Sequence, residues 1–279
     1  MLRYLARRTG YAAVLLLAVV TLNFLLIHIS PGDPVETIAG SMGGISEDLR
    51  AQLRAQYGLD RPFLVQLGLY LSQVLRGDLG YSYFFNLPVA QLIWERVPAT
   101  LLLVVTAVSS AFVAGTALGT LTARKPNGPL SQGITLLSIV GYSAPVFWTG
   151  IILIILFASL LPWFPVSDMR SAGGPEGGWA GALDLLHHLV LPAFTLAFVY
   201  LAQYSRLARA SVMDALSADY IRTARAKGLP ERTVLYRHAL RNGVLPVVTM
   251  LGLQFGNVLA GAILVETVFN WPGLGRLAF

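Results

Sequence analysis

The 279-residue chain is predicted to be an all-α membrane protein, a polytopic helical bundle, from three features of its sequence. It is 55% hydrophobic and only 12% charged, with a mean hydropathy of +0.65, far from the balance of a soluble domain. Five stretches, 9–32, 97–123, 126–167, 185–205 and 242–265, lack Asp, Glu, Lys and Arg. Each can hold the roughly 20 apolar residues that cross a hydrocarbon core. The third feature is the placement of charge. With a cytoplasmic N-terminus, thirteen basic and three acidic residues fall inside and seven basic and eleven acidic outside, a split of +10 and −4 within the net +6. Basic residues gather on the cytoplasmic side of membrane proteins, so this orientation is preferred. The pI near 9.8 then reports topology and implies no nucleic-acid partner; the partner is a lipid bilayer.

The expected spans are 10–29, 98–121, 133–160, 187–207 and 244–264, five in all. Arg3, Arg7 and Arg8 before an apolar run resemble a signal peptide, but the run is longer than the roughly 7–15 residues of a signal h-region. An uncleaved first span is therefore expected. Residues 1–97 form this span and an extracytoplasmic segment; residues 98–279 form the core, with a cytoplasmic loop at about 209–243. In the external segment Ser46 starts a capped amphipathic helix, a second helix runs from about Pro62 to Leu75, and 76–80 make a turn. Tyr81, Tyr83, Phe84 and Phe85 then form either an interfacial belt or a surface that meets an external partner. The Gly-rich loop 161–186 is a docking loop or a flexible cover. There is no cysteine, which excludes disulfides and thiolate chemistry.

About thirty polar residues, Ser217 to Pro246, stand between the last two apolar runs. Asp219 is expected to cap a short helix whose Tyr220, Ile221 and Ala224 share a face, with Arg222 and Arg225 pointing elsewhere. Gly228 offers the left-handed conformation that ends a helix, and Pro230 suits the first turn of the next, expected to run to Asn242 and close at Gly243. The segment reads as a rigid helix-turn-helix knob.

Asp219-Tyr220-Ile221-Arg222-Thr223-Ala224-Arg225-Ala226-Lys227-Gly228, followed by Arg241-Asn242 and Leu245-Pro246, resembles the EAA loop of binding-protein-dependent ABC importer permeases in its dipeptide, oligopeptide and nickel form. The general motif would place Glu where Arg222 stands and has a shorter spacer before Leu-Pro; both departures point to this branch. Segments 30–34, 77–82, 96–100, 141–150 and 266–275 resemble further stretches of the same family in the same order. The resemblance implies that residues 219–228 couple the permease to a cytoplasmic ATPase. It also implies a second permease as heterodimer partner, two ABC ATPase subunits, and an extracytoplasmic substrate-binding protein. Peptides are the implied cargo, with nickel or another small solute as the alternative. The implied location is the prokaryotic cytoplasmic (inner) membrane. Small Ala224 and Gly228 are compatible with close approach of a partner surface. The family's sixth helix would lie beyond Phe279, so the chain is expected to be a C-terminally truncated fragment.

Within the spans, Pro145 and Pro192 are expected to bend helices where backbone groups line a cavity. Ser143, Pro145, Tyr200, Gln203, Gln254 and Asn257, with Gly141, Gly150 and Thr195, are candidates for a translocation path. Gln254 and Asn257 share a helix face and are costly against lipid. Hydrogen-bonded helix packing is the competing role for each polar residue. Outside the transporter class, Gly141-Tyr142-Ser143 with His187 or His188 as base is similar to the start of an intramembrane serine protease site, although Ala144-Pro145 replace the Gly that should follow. No phosphate-binding Gly-x-x-x-x-Gly-Lys-[Ser/Thr] loop occurs, so no cofactor is expected on this chain; ATP and Mg would be used by the partner ATPases.

Overall fold

The computed structural model describes all residues except 30, 31, 33, 42, 43, 45, 57, 176 and 279, and only the backbone of 2, 34, 37, 38, 41, 56, 255 and 257–261. Residues 30, 31 and 33 of the 30–34 motif, the Pro34 side chain and the Asn257 side chain thus fall outside the described residues. Two units are present, Met1–Glu95 and Arg96–Phe279.

In the first unit, α1 (Leu2–Ile29) is followed by α2 (Pro34–Ser41), α3 (Glu47–Gln56) and α4 (Phe63–Leu75). The Leu49 N–H donates to Ser46 Oγ at 3.3 Å, the cap expected for α3. The α1–α4 contact is aromatic: Phe24 stacks on His28 at 4.7 Å between ring centres and meets Phe63 and Tyr70 at 5.6 and 5.5 Å. A two-stranded hairpin follows, β1 (Tyr81–Ser82) antiparallel to β2 (Leu87–Pro88), with Asn86 at φ 55° in its turn. It organises the aromatic cluster, with Tyr81 against Tyr83 and Phe84 against Phe85.

The second unit is built around α8 (Gly178–Leu216), a 39-residue helix. Around it lie α5 (Val89–Arg124, from Arg96 onward), α6 (Pro129–Ser143), α7 (Val146–Leu153, continued by a π-helical turn to Leu160) and α12 (Leu245–Val268). Its core joins Leu103, Val104 and Val108 of α5 to Leu189, Leu196 and Tyr204 of α8, with Val247, Val265 and Phe269 behind them. α5 approaches α8 closely because Gly115 and Gly119 lie one turn apart on it. A Cβ at Gly115 would fall 2.7 Å from Tyr204 Cβ, and one at Gly119 would fall 2.5 Å from the Ser205 carbonyl oxygen. Between α8 and α12 lies the knob, α9 (Asp219–Ala226), α10 (Glu231–Thr233), a π-helical stretch Val234–Ala239 and α11 (Leu240–Gly243).

By length and composition α1, α5 and α8 can each cross a membrane. The expected third span is not one tilted helix. It breaks between Ser143 and Val146, and α6 and α7 are inclined by 108°. Proline cannot donate to the helix ladder and disfavours helical geometry in the preceding residue, here Ala144 at ψ 132°. The broken segment still travels from one end of α8 to the other. Arg209 near the end of α8 donates to the Pro126 carbonyl before α6, and His187 near its start is bonded to the Trp163 carbonyl after α7. α12, at 24 residues, has the length of a fifth span. Pro192, by contrast, leaves α8 unbroken. α8 also extends nine residues beyond both expected ends, so helix already occupies 178–186 of the expected loop. The remainder of that loop is tethered: Ser171 donates N–H and Oγ to Asp184 at 3.0 and 2.7 Å, and the Asp168 N–H donates to the Phe269 carbonyl.

Candidate functional site

The knob is rigid because it has a core of its own. Ile221 and Ala224 of α9 are buried with Val234, Leu235 and Ala239 from the return segment, against Ala123 at the end of α5 and Val212 near the end of α8. This arrangement corrects two sequence expectations. Asp219 is the first helical residue and not the cap; Ala218 holds that position with no capping side chain, while Asp219 lies 3.7 Å from the Arg222 guanidinium. Tyr220 does not share the buried face: it is 41% exposed, whereas Ile221 and Ala224 are 0% and 5%. At about 100° per residue Tyr220 and Ile221 flank Ala224 on either side, so a buried side centred between Ile221 and Ala224 leaves Tyr220 at its edge. Ala224 is therefore small because the knob core is tight.

The outward face carries Asp219, Tyr220, Arg222, Thr223, Arg225, Ala226 and Lys227, all exposed. Gly228 ends the helix at φ 75°, and a Cβ there would meet nothing within 4 Å, so glycine is required by the backbone and not by space. Arg225 donates to both Glu231 oxygens, at 2.7 and 3.3 Å, across that turn. The bidentate hydrogen bond holds the Glu231 carboxyl below the usual carboxylate range. A groove of about 290 Å³, lined by Asp214, Ala218, Tyr220, Asn242 and Pro246 among others, runs beside α9.

The path candidates divide. Tyr200 of α8 and Gln254 of α12 are both buried. Gln203 is half-buried one turn along α8. Ser143 and Pro145 lie exposed at the α6–α7 break. Buried Gly141 packs on Phe198, and Gly150 fits against Thr195 and Phe269. Ser143 and the two histidines are not brought together. Phe198 is eleven residues from His187, about 16 Å along α8. His187 is bonded to the Trp163 carbonyl and His188 to the Asp184 carbonyl.

Segments 96–100 and 266–275 meet in a buried knot at the far end from the knob. Glu266 is fully buried and accepts from Thr100 Oγ1 at 2.6 Å, from the Gly275 N–H at 2.6 Å and from the Arg276 N–H at 3.3 Å. Its carboxylate thus caps α13 (Leu274–Leu277), and Trp271 Nε1 donates to the Ala99 carbonyl at 2.9 Å. The would-be Cβ atoms of Gly273 and Gly275 would collide with that carboxylate.

The family model for binding-protein-dependent transport system inner membrane components matches residues 115–279, and the model for the N-terminal part of such components matches residues 1–104. The chain belongs to this family. It is a multi-pass inner-membrane component of a transport system. Relatives include the oligopeptide transport system permease protein AppB of Bacillus subtilis, 38% identical over 278 residues. The dipeptide transport system permease protein DppB of Escherichia coli K12 is 40% identical over 296 residues, and the di/tripeptide permease DppB of Pseudomonas aeruginosa is 38% identical over 294. Each alignment covers 99% of this chain and 86% of the relative.

Within this family member, two features escaped the sequence reading. Gly115-x-x-x-Gly119 is a small-xxx-small pattern, a known signal of close helix packing in membranes. The Thr100–Glu266 bond spans 166 positions and leaves no local trace, although an acid in the last turn of an apolar helix was its visible cue.

Proposed function

We propose that this chain is the permease subunit of an ABC importer for peptides, with its N-terminus in the cytoplasm. The observation that carries the reading is the knob: a short helix locked from beneath by Ile221 and Ala224 while its polar face stands free. Such a helix transmits force without deforming. It docks on one of two cytoplasmic ATPase subunits, which hold ATP and Mg; this chain has no ATPase site of its own. A second permease completes the translocation path, and an extracytoplasmic binding protein delivers the peptide. Closure of the ATPases displaces the knob, and the direct contact of Val212 with it passes the displacement to α8. The path then opens to one side and afterwards to the other, a two-state change biased by nucleotide and by loaded binding protein. The relatives named as dipeptide and oligopeptide permeases support peptide as cargo.

The test is uptake. Cells lacking this chain should lose accumulation of a labelled dipeptide and regain it with the wild-type chain. Retained dipeptide uptake together with lost nickel uptake would replace the peptide assignment.

A further inference from the structure

We propose that the start of α6 holds the headgroup phosphate of an anionic phospholipid. α6 begins at Pro129 after Gly128, and no side chain caps it, so the N–H groups of its first turn are directed outward toward any anion placed there. Two pockets meet at this turn. One, of about 380 Å³, is lined by Pro126, Ser131, Thr135, Leu136, Ile139 and Arg209. The other, of about 400 Å³, is lined by Arg124, Lys125, Leu130 and Ser131 among others. Ser131 belongs to both. It is 1% exposed, yet its hydroxyl has no hydrogen-bond partner among the described residues. A buried donor without an acceptor, beside two cavities, is a group built for a ligand.

The cations agree. Arg209 is fixed by donating to Thr135 Oγ1 at 3.1 Å and to the Pro126 carbonyl at 2.9 Å. Among the described residues it pairs with no carboxylate, so its charge is unneutralised and several of its five donors remain. Lys125 is exposed on the other side of the turn. Arg124 faces Glu231, but that acid is already engaged by Arg225. The occupant is a lipid because the polar turn continues into apolar surface: Leu136 and Ile139, three apart on one face of α6 and lining the first pocket, are 64% and 52% exposed. A phosphate at the helix start with acyl chains along that face matches both parts. Charge also changes over here, since Lys125 is the last ionisable residue before the apolar run from Pro126. The proposal rests on the membrane reading but on neither the cargo nor the ATPase.

The experiment is native mass spectrometry of the detergent-solubilised transporter, titrated separately with phosphatidylglycerol and phosphatidylcholine. Phosphatidylglycerol should be retained in preference. Lys125→Gln should weaken it about five-fold, the effect of one surface cation on an anionic lipid. Ser131→Ala should also weaken it, with no change in charge, while Arg276→Gln, at the knot end of the same unit, should not. Should Arg209→Gln fail to assemble, Lys125→Gln and Ser131→Ala decide, because both leave the Arg209 bonds intact. Equal retention of the two lipids, or phosphatidylglycerol binding unmoved by these variants, would overturn the proposal. So would full displacement by millimolar inorganic phosphate, which would mark a pocket for the free anion. None of these outcomes bears on peptide uptake.

Discussion

The knob and the Glu266 knot both close turns of chain at opposite ends of the second unit, and they place charge in opposite ways. In the knob, small aliphatic side chains form the core and every ionised group faces out. In the knot the carboxylate lies inside, held by one hydroxyl and two backbone N–H groups. The difference teaches what each can do. A surface whose charges are free can engage and release a partner without altering its own fold. A joint organised around one buried carboxylate has its shape set by that group, and gains rigidity at the expense of adaptability.

The largest effect should come from emptying the knot. Glu266→Ala leaves the Thr100 hydroxyl and the Gly275 and Arg276 N–H groups without their acceptor, at about 1–3 kcal/mol for each buried donor left unpaired. Thermal unfolding in detergent should show a lowered midpoint while the knob keeps its protease resistance. An unchanged midpoint would mean that the knot is decoration.

Next is the knob core. Ala224→Trp should cost about 1–3 kcal/mol by overpacking and should cut peptide-stimulated ATP hydrolysis by deforming the knob. Thr223→Trp, on the exposed face, should reduce hydrolysis to a similar degree with no loss of stability. If Thr223→Trp hydrolyses normally, the outer face is not the docking face. Gly228→Val is smaller, about 1–2 kcal/mol for an L residue at positive φ, with insertion intact and coupling reduced.

The smallest effect is electrostatic. Arg225 lowers the Glu231 pKa from its ordinary 4.5. A depressed carboxyl pKa contributes stability above the unfolded value and loses it as pH falls through the folded value. The 225–231 turn should therefore hold unchanged down to about pH 4.5 and loosen only below it, whereas Arg225→Gln, which lacks the pair, should be looser already at neutral pH and show no such step. Amide hydrogen exchange at Gly228, whose N–H donates to the Arg225 carbonyl, measured at each pH, reports the turn in wild type and variant alike. A pH profile of exchange identical in the two would show that the pair does not hold the turn.

What was legible in the sequence was what local pattern specifies. Charge-free length found α1, α5 and α8, Pro145 marked the break in the third run, Gly228 the end of α9, and Ser46 the cap of α3. What was not legible depended on remote partners. Whether Ala224 turns inward is decided by Val212 and Leu235, which no window around 224 contains. The 108° inclination of α6 to α7 is set by how Gly141 and Gly150 seat against Phe198 and Thr195, since a proline alone permits a range of angles. The cap was misplaced at Asp219 because Asp suits both the cap position and the first helical turn, where it meets the helix dipole favourably.

If the knob couples transport to ATP, the outer face of α9 meets an ATPase. The chain has no cysteine, so a single one at Thr223→Cys can carry a photoactivatable crosslinker in the assembled transporter. Irradiation should join this chain to an ATPase subunit, while the same label at Ser171→Cys should not. Crosslinking from position 171 with none from position 223 would contradict both the orientation and the role assigned to the knob.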